Sequence, residues 1–161
     1  MSSRAAVSKS CLLPTAEAIS SSATTAPVGH TIWLKASNGS YVSAWQSDPN
    51  GPLEARSPHI QAWEEFQVID AGEGYIALKA NANGNYVSAW KATTNTPLQT
   101  VATTISVWER FRWIDLGGGN IALQANANGL IVSAWQNDSN TPLEARAAYI
   151  QGWEVFQWGI V

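Results

Sequence analysis

Three tryptophans, Trp45, Trp90 and Trp135, recur every 45 residues, and each opens a loop of amides, acids and hydroxyls. Gln46, Asp48 and Asn50 follow the first, Lys91 and Asn95 the second, and Gln136, Asp138 and Asn140 the third. An indole beside amide and carboxylate groups suits a polyhydroxylated ligand, whose C–H face stacks while its hydroxyls bond to the rim. These residues form the expected ligand-binding set, up to three equivalent shallow sites. The second is expected to be the weakest, since Lys91 and two threonines replace its acid and amides.

Other chemistry finds little support. Glu64, Glu109 and Glu154 also recur, each directly after a tryptophan (Trp63, Trp108, Trp153) and two residues before a phenylalanine (Phe66, Phe111, Phe156). A catalytic carboxylate pair is normally built once, from non-equivalent residues whose pKa values are pushed apart. Carboxylates repeated identically read instead as acceptors for backbone N–H groups at a turn, with the Phe in the core and the Trp sealing the barrel bottom. Glu54 with Arg56, and Glu144 with Arg146, lie two apart on one strand face and are expected to form exposed ion pairs worth about 0–1 kcal/mol. Unit two has Gln99 and Val101 there, so the fold does not need the pair. His30 and His59 have no ligand-spaced companions, so no metal site is expected. No Ser-His-Asp or Cys-His arrangement can be assembled, and no cofactor motif is present. The chain reads as a non-enzyme.

These residues need a scaffold that repeats. Tyr41-Val42-Ser43-Ala44-Trp45, Tyr86-Val87-Ser88-Ala89-Trp90 and Ile131-Val132-Ser133-Ala134-Trp135 read as strands, with Val and Ala facing inward and the Trp outward or at the rim. Each follows an alternating run and an Asn-Gly turn (Asn38-Gly39, Asn83-Gly84, Asn128-Gly129), a strong hairpin signal. Pro52-Leu53, Pro97-Leu98 and Pro142-Leu143 open a third strand, where sheets accept proline. A fourth runs on from each phenylalanine. Three units of four strands are too few for a propeller. The expectation is an all-β fold, a β-trefoil with pseudo-threefold symmetry: a six-stranded barrel capped by three hairpins.

Residues 30–161 hold this domain. Residues 1–29 are rich in Ser, Ala and Thr and are expected to be a flexible tail or linker. With 13% charged residues, net charge −3 and no basic patch, nucleic acid is not an expected partner. No apolar run reaches the roughly 18 residues that span a bilayer, so membrane insertion is not expected either. Cys11, alone, cannot form an internal disulfide. The stretch around Leu12-Leu13 is too short for a cleavable signal and is cut by Pro14. Localisation stays open, and only the carbohydrate reading points to an extracellular setting.

The Asn-Gly-x-Tyr-Val-Ser-Ala string, the Pro-Leu strand and Trp-Glu-x-Phe together resemble fascin-like β-trefoils, over about Thr31 to Val161. Gln61-Ala62-Trp63 and Gln151-Gly152-Trp153 are also similar to the Gln-x-Trp mark of ricin-type lectin trefoils, which unit two breaks with Ser106-Val107-Trp108. The resemblance implies a trefoil that acts as a lectin, or as the polysaccharide-binding module of a glycan-acting protein. Its alternative implication is a fascin-like, actin-binding protein-interaction domain. In ricin-type lectins an aspartate on the second strand grips the sugar; Ser43, Ser88 and Ser133 stand at the matching positions.

Overall fold

The computed structural model describes residues 26–161, which form twelve strands and three single-turn 3₁₀ helices. The expected tail lies outside the described residues except for 26–29. There Ala26 packs against the core, and the Gly29 N–H donates to the Val68 carbonyl at 2.9 Å.

Unit one comprises β1 (Thr31–Lys35), β2 (Tyr41–Ala44), β3 (Leu53–Ser57) and β4 (Phe66–Gly72). Unit two comprises β5 (Tyr75–Ala80), β6 (Tyr86–Ala89), β7 (Leu98–Ala102) and β8 (Phe111–Gly117). Unit three comprises β9 (Asn120–Ala125), β10 (Ile131–Ala134), β11 (Leu143–Ala147) and β12 (Phe156–Ile160). Antiparallel pairing runs β1–β4–β5–β8–β9–β12 and returns from β12 to β1, closing a six-stranded barrel. The hairpins β2–β3, β6–β7 and β10–β11 cap it. They meet one another through single bridges, Pro52 with Gln99, Glu54 with Pro142 and Pro97 with Glu144. This is the β-trefoil.

Alternation fills the barrel. Ile32 and Leu34, Ile76 and Leu78, and Ile121 and Leu123 are buried, as are Phe66, Phe111 and Phe156. Burying one such side chain contributes about 1.5–3 kcal/mol. Where β12 closes on β1, Trp33 pairs with Gly159, and a Cβ on that glycine would come within 2.5 Å of the indole. Only glycine lets the ring lie there.

The hairpin cap rests on three hydroxyls. Asn38 Nδ2 donates to Thr141 Oγ1 (3.4 Å) and Asn128 Nδ2 to Thr96 Oγ1 (3.3 Å). Asn83 Nδ2 instead finds Thr100 Oγ1 (3.2 Å), because the position equivalent to Thr96 and Thr141 is Gly51 in unit one. Thr100 Oγ1 donates to the Gly51 carbonyl at 2.8 Å, in space that a Cβ on Gly51 would invade at 2.1 Å. Gly51 (φ 51°), Thr96 (φ 49°) and Thr141 (φ 46°) share one left-handed backbone, an uncommon conformation for a β-branched residue.

Candidate functional site

Each second strand ends by passing its chain into a tryptophan whose N–H donates to the proline carbonyl of the facing strand. The distances are 2.8 Å for Trp45 to Pro52, and 2.9 Å for both Trp90 to Pro97 and Trp135 to Pro142. All three indoles are half-buried. Each meets a second tryptophan edge-to-face: Trp45 with Trp63 at 5.4 Å, Trp90 with Trp108 and Trp135 with Trp153 both at 5.2 Å. Such aromatic pairs are worth about 0.5–1.5 kcal/mol beyond their buried area.

The second tryptophan rides on a 3₁₀ turn held by the recurring carboxylate. Glu64, Glu109 and Glu154 are buried and accept the N–H of Gln61 (2.8 Å), Ser106 (2.9 Å) and Gln151 (2.8 Å) through Oε1. The structural role expected for these acids is what the geometry gives. Trp63 and Trp153 were expected to seal the barrel bottom; instead their turns lie against the hairpin strands β2 and β10, and both wall a cleft open to solvent.

The third strand brings in a cation. Val42 pairs with Ala55 but Tyr41 pairs with Ser57, so the register skips Arg56 in a β-bulge. Bulges re-aim side chains. The Arg56 guanidinium carbon lies 3.9 Å from the centre of the Trp45 ring, and that of Arg146 lies 3.5 Å from Trp135. Arg56 Nη1 donates to Glu54 Oε1 at 3.0 Å, and Arg146 Nη1 to Glu144 Oε1 at 2.8 Å. Both glutamates are buried while the arginine side chains stay 33% and 28% exposed, so the ion pairs are half covered where strand spacing led to fully exposed ones. The bulge and the overlying 3₁₀ turn make the difference, because together they cover the outer face of the hairpin.

Ser43, Ser88 and Ser133 lie on that same face, fully buried, and their Oγ atoms have no hydrogen-bond partner within the described residues. At the positions matching the ricin-type aspartate, none reaches the surface.

Two equivalent clefts result. The first, about 550 Å³, is lined by Trp45, Arg56, His59, Gln61, Trp63 and Glu64, with the loop between β3 and the 3₁₀ turn completing it. The second, about 570 Å³, is lined by Trp135, Arg146, Tyr149, Gln151, Trp153 and Glu154 in the same arrangement. Both fall in the usual range for small-molecule sites. Each offers aromatic surface, guanidinium N–H groups beyond the one bound to glutamate, and an amide side chain. Unit two keeps Trp90 and Trp108 but has Val101 for the arginine, Gln99 for the glutamate and Ser106 for the glutamine.

Of the residues expected to bind, Trp45 and Trp135 line these clefts. Gln46 Nε2 donates to its neighbour's carbonyl, Ala44 O, at 3.2 Å, and Gln136 Nε2 reaches across to Ser37 Oγ at 2.8 Å. Asp48, Asn50, Lys91, Asn95, Asp138 and Asn140 are exposed in their loops and outside the cleft linings. The Asp48 and Asp138 N–H groups fold these loops back on the Trp45 and Trp135 carbonyls, both at 3.3 Å. Arg56, Gln61, Arg146 and Gln151, which sequence reasoning left out of the site, join it. Their signal was present as Glu-Ala-Arg and Gln-x-Trp, retained together in units one and three and lost together in unit two. Among the described residues no cluster of His, Cys, Asp and Glu could hold a metal ion. No described helix is long and apolar enough to cross a membrane.

No family model and no curated protein matches the sequence. Solved structures do match in fold. A designed threefold-symmetric protein, ThreeFoil, superimposes with TM-score 0.71 at 16% identity, over 80% of this chain and 96% of its own. The Macrolepiota procera ricin B-like lectin, solved in complex with lactose, matches with TM-score 0.66 at 12% identity, over 84% and 98%. An exo-β-1,3-galactanase from Clostridium thermocellum matches with TM-score 0.71 at 10% identity, over 84% of this chain but only 31% of the enzyme. At these identities the likeness is one of fold, found in a lectin, in one portion of a glycosidase, and in a design.

Proposed function

We propose that this trefoil is a non-catalytic carbohydrate-binding module with two working sites, the clefts of units one and three. One observation carries the reading. Barrel, tryptophan pair and capping carboxylate are the same in all three units, while Glu-Ala-Arg and the cleft glutamine are present in two and absent together from the third. Residues that come and go as a set, on a scaffold that stands without them, are selected for something other than folding. The chemistry suits a sugar ring: indole surface for its C–H face, free guanidinium donors and a glutamine amide for its hydroxyls. The polar-loop residues Gln46, Asp48, Asn50, Gln136, Asp138 and Asn140 remain as the other proposed contacts, and Trp90, Lys91 and Asn95 as a weak third site. Lectin and glycosidase neighbours support the class of ligand and leave its identity to experiment.

The test is a glycan array followed by titration calorimetry on the best ligand. Two sites per chain are expected. Glu54→Gln with Arg56→Val and Glu144→Gln with Arg146→Val, which import the pair that unit two already tolerates and leave no buried carboxylate without its partner, should remove binding at both without unfolding the domain. Binding that survives this fourfold substitution unchanged would sink the reading.

A further inference from the structure

We propose that the cleft of unit three runs on past Gly152 into the seam between units three and one, and that this groove holds an extended glycan chain. The inference rests on the carbohydrate reading above and gives it a ligand size.

The seam carries its own depression of about 520 Å³, lined by Lys35, Ser37, Asn120, Val155 and Gln157 among others. It shares one residue with the cleft of unit three, Gly152. A glycine there has no explanation in the fold. Its backbone is outside the left-handed region, and a Cβ added to it would meet nothing within 4 Å. The equivalent residues are Ala62 in unit one and Val107 in unit two, on the same 3₁₀ turn, so a side chain is acceptable at this point of the scaffold. Close approach of the backbone to a ligand is one of the uses of glycine. Here it leaves a low saddle between two depressions, each large enough for a small-molecule ligand.

The two ends of the groove are furnished differently, as a chain of several sugars would need. At the outer end Tyr149 lines the cleft of unit three and is 77% exposed, a second aromatic plate beyond the Trp135–Trp153 pair. Its counterpart in unit one is His59. At the seam end the lining is polar: the Lys35 ammonium, whose nitrogen lies 5.3 Å from the Tyr41 ring centre, the Ser37 hydroxyl, Asn120 and Gln157. Gln136 Nε2 donates to that same Ser37 Oγ, tying the loop after Trp135 to the seam. A bound chain would stack at Tyr149, cross the saddle and bond its further hydroxyls to the seam.

The test uses the 161-residue chain on an array printed with mono- to hexasaccharide ladders of neutral and uronate-containing polysaccharides. Affinity should climb with chain length, and the ratio of hexasaccharide to monosaccharide affinity is the quantity read. Gly152→Val should cut that ratio roughly tenfold, and Lys35→Ala with Gln157→Ala should cut it as well. Ala62→Val, the same change on unit one, should leave it intact. Thermal unfolding checks that each variant folds; the seam pair keeps the question open to measurement even if the valine perturbs its turn. An unchanged ratio in both Gly152→Val and the seam variant overturns the groove while leaving the cleft reading standing. Absence of binding to every glycan, or full binding by the variant that carries Glu54→Gln, Arg56→Val, Glu144→Gln and Arg146→Val, overturns both.

Discussion

Unit two and unit three set the same pair of tryptophans at the same 5.2 Å, edge to face, over the same capped 3₁₀ turn. Above that pair they part. Unit three stacks Arg146 on Trp135 and ties it to buried Glu144, while unit two presents Val101 and Gln99. The lower layer repeats because the barrel demands it three times; the upper layer repeats only twice. A pseudosymmetric fold thus carries its own control experiment, since the scaffold's needs can be read from what all three units share. What two units share and the third lacks is what the two proposed sites rest on.

The largest effect expected on this comparison is in the shared layer. Phe111→Ala in unit two removes a fully buried ring and should cost about 3–5 kcal/mol in chemical denaturation. If unit two were dispensable to the fold, the loss would be far smaller.

Next comes the hairpin cap, where the units reach one arrangement by different residues. Gly51→Thr alone drives a side chain into Thr100 Oγ1 and should destabilise by about 1–3 kcal/mol. Thr100→Ala alone removes the hydroxyl that Asn83 and the Gly51 carbonyl use. Together the two changes reproduce the Thr141 and Ala55 pairing seen elsewhere, so a double-mutant cycle should show favourable coupling of about 0.5–3 kcal/mol. Strict additivity would mean that the cap does not read these residues as a pair.

The smallest effect on stability sharpens the contrast most. Installing Gln99→Glu, Val101→Arg and Ser106→Gln in unit two brings in a buried glutamate and its partner together, so stability should shift only modestly. It should nevertheless raise the calorimetric stoichiometry from two sites to three. A stoichiometry still at two would show that cleft residues alone do not make a site.

Much of this was legible in the chain. The 45-residue period, the Asn-Gly turns and the alternating Ile, Leu and Phe positions fixed a trefoil, because barrel strands obey a period of two that a sequence displays openly. Glu64 as a turn acceptor was equally readable, since a threefold-repeated acid beside a turn has few other uses. Arg56 was not. Strict alternation put it beside Glu54 on an outer face, and outer faces of hairpins are usually solvated. A one-residue bulge between Tyr41 and Val42, together with the overlying 3₁₀ turn, converted that face into a covered surface with the arginine laid on Trp45. Bulges depend on how two strands meet across a loop, which composition does not record. Gly152, on which the proposed groove turns, was hidden for the opposite reason, since a missing side chain leaves no pattern to read.

The closure of β12 on β1 bears on how copies of the chain can meet. A sheet with open edges offers unpaired N–H and C=O groups to any neighbour, and at high local density it invites edge-to-edge aggregation. Each barrel strand here has a partner on both sides. Copies of the chain can therefore come close without their barrels joining edge to edge, and the strand edges left open are those of the hairpins, β3, β7 and β11.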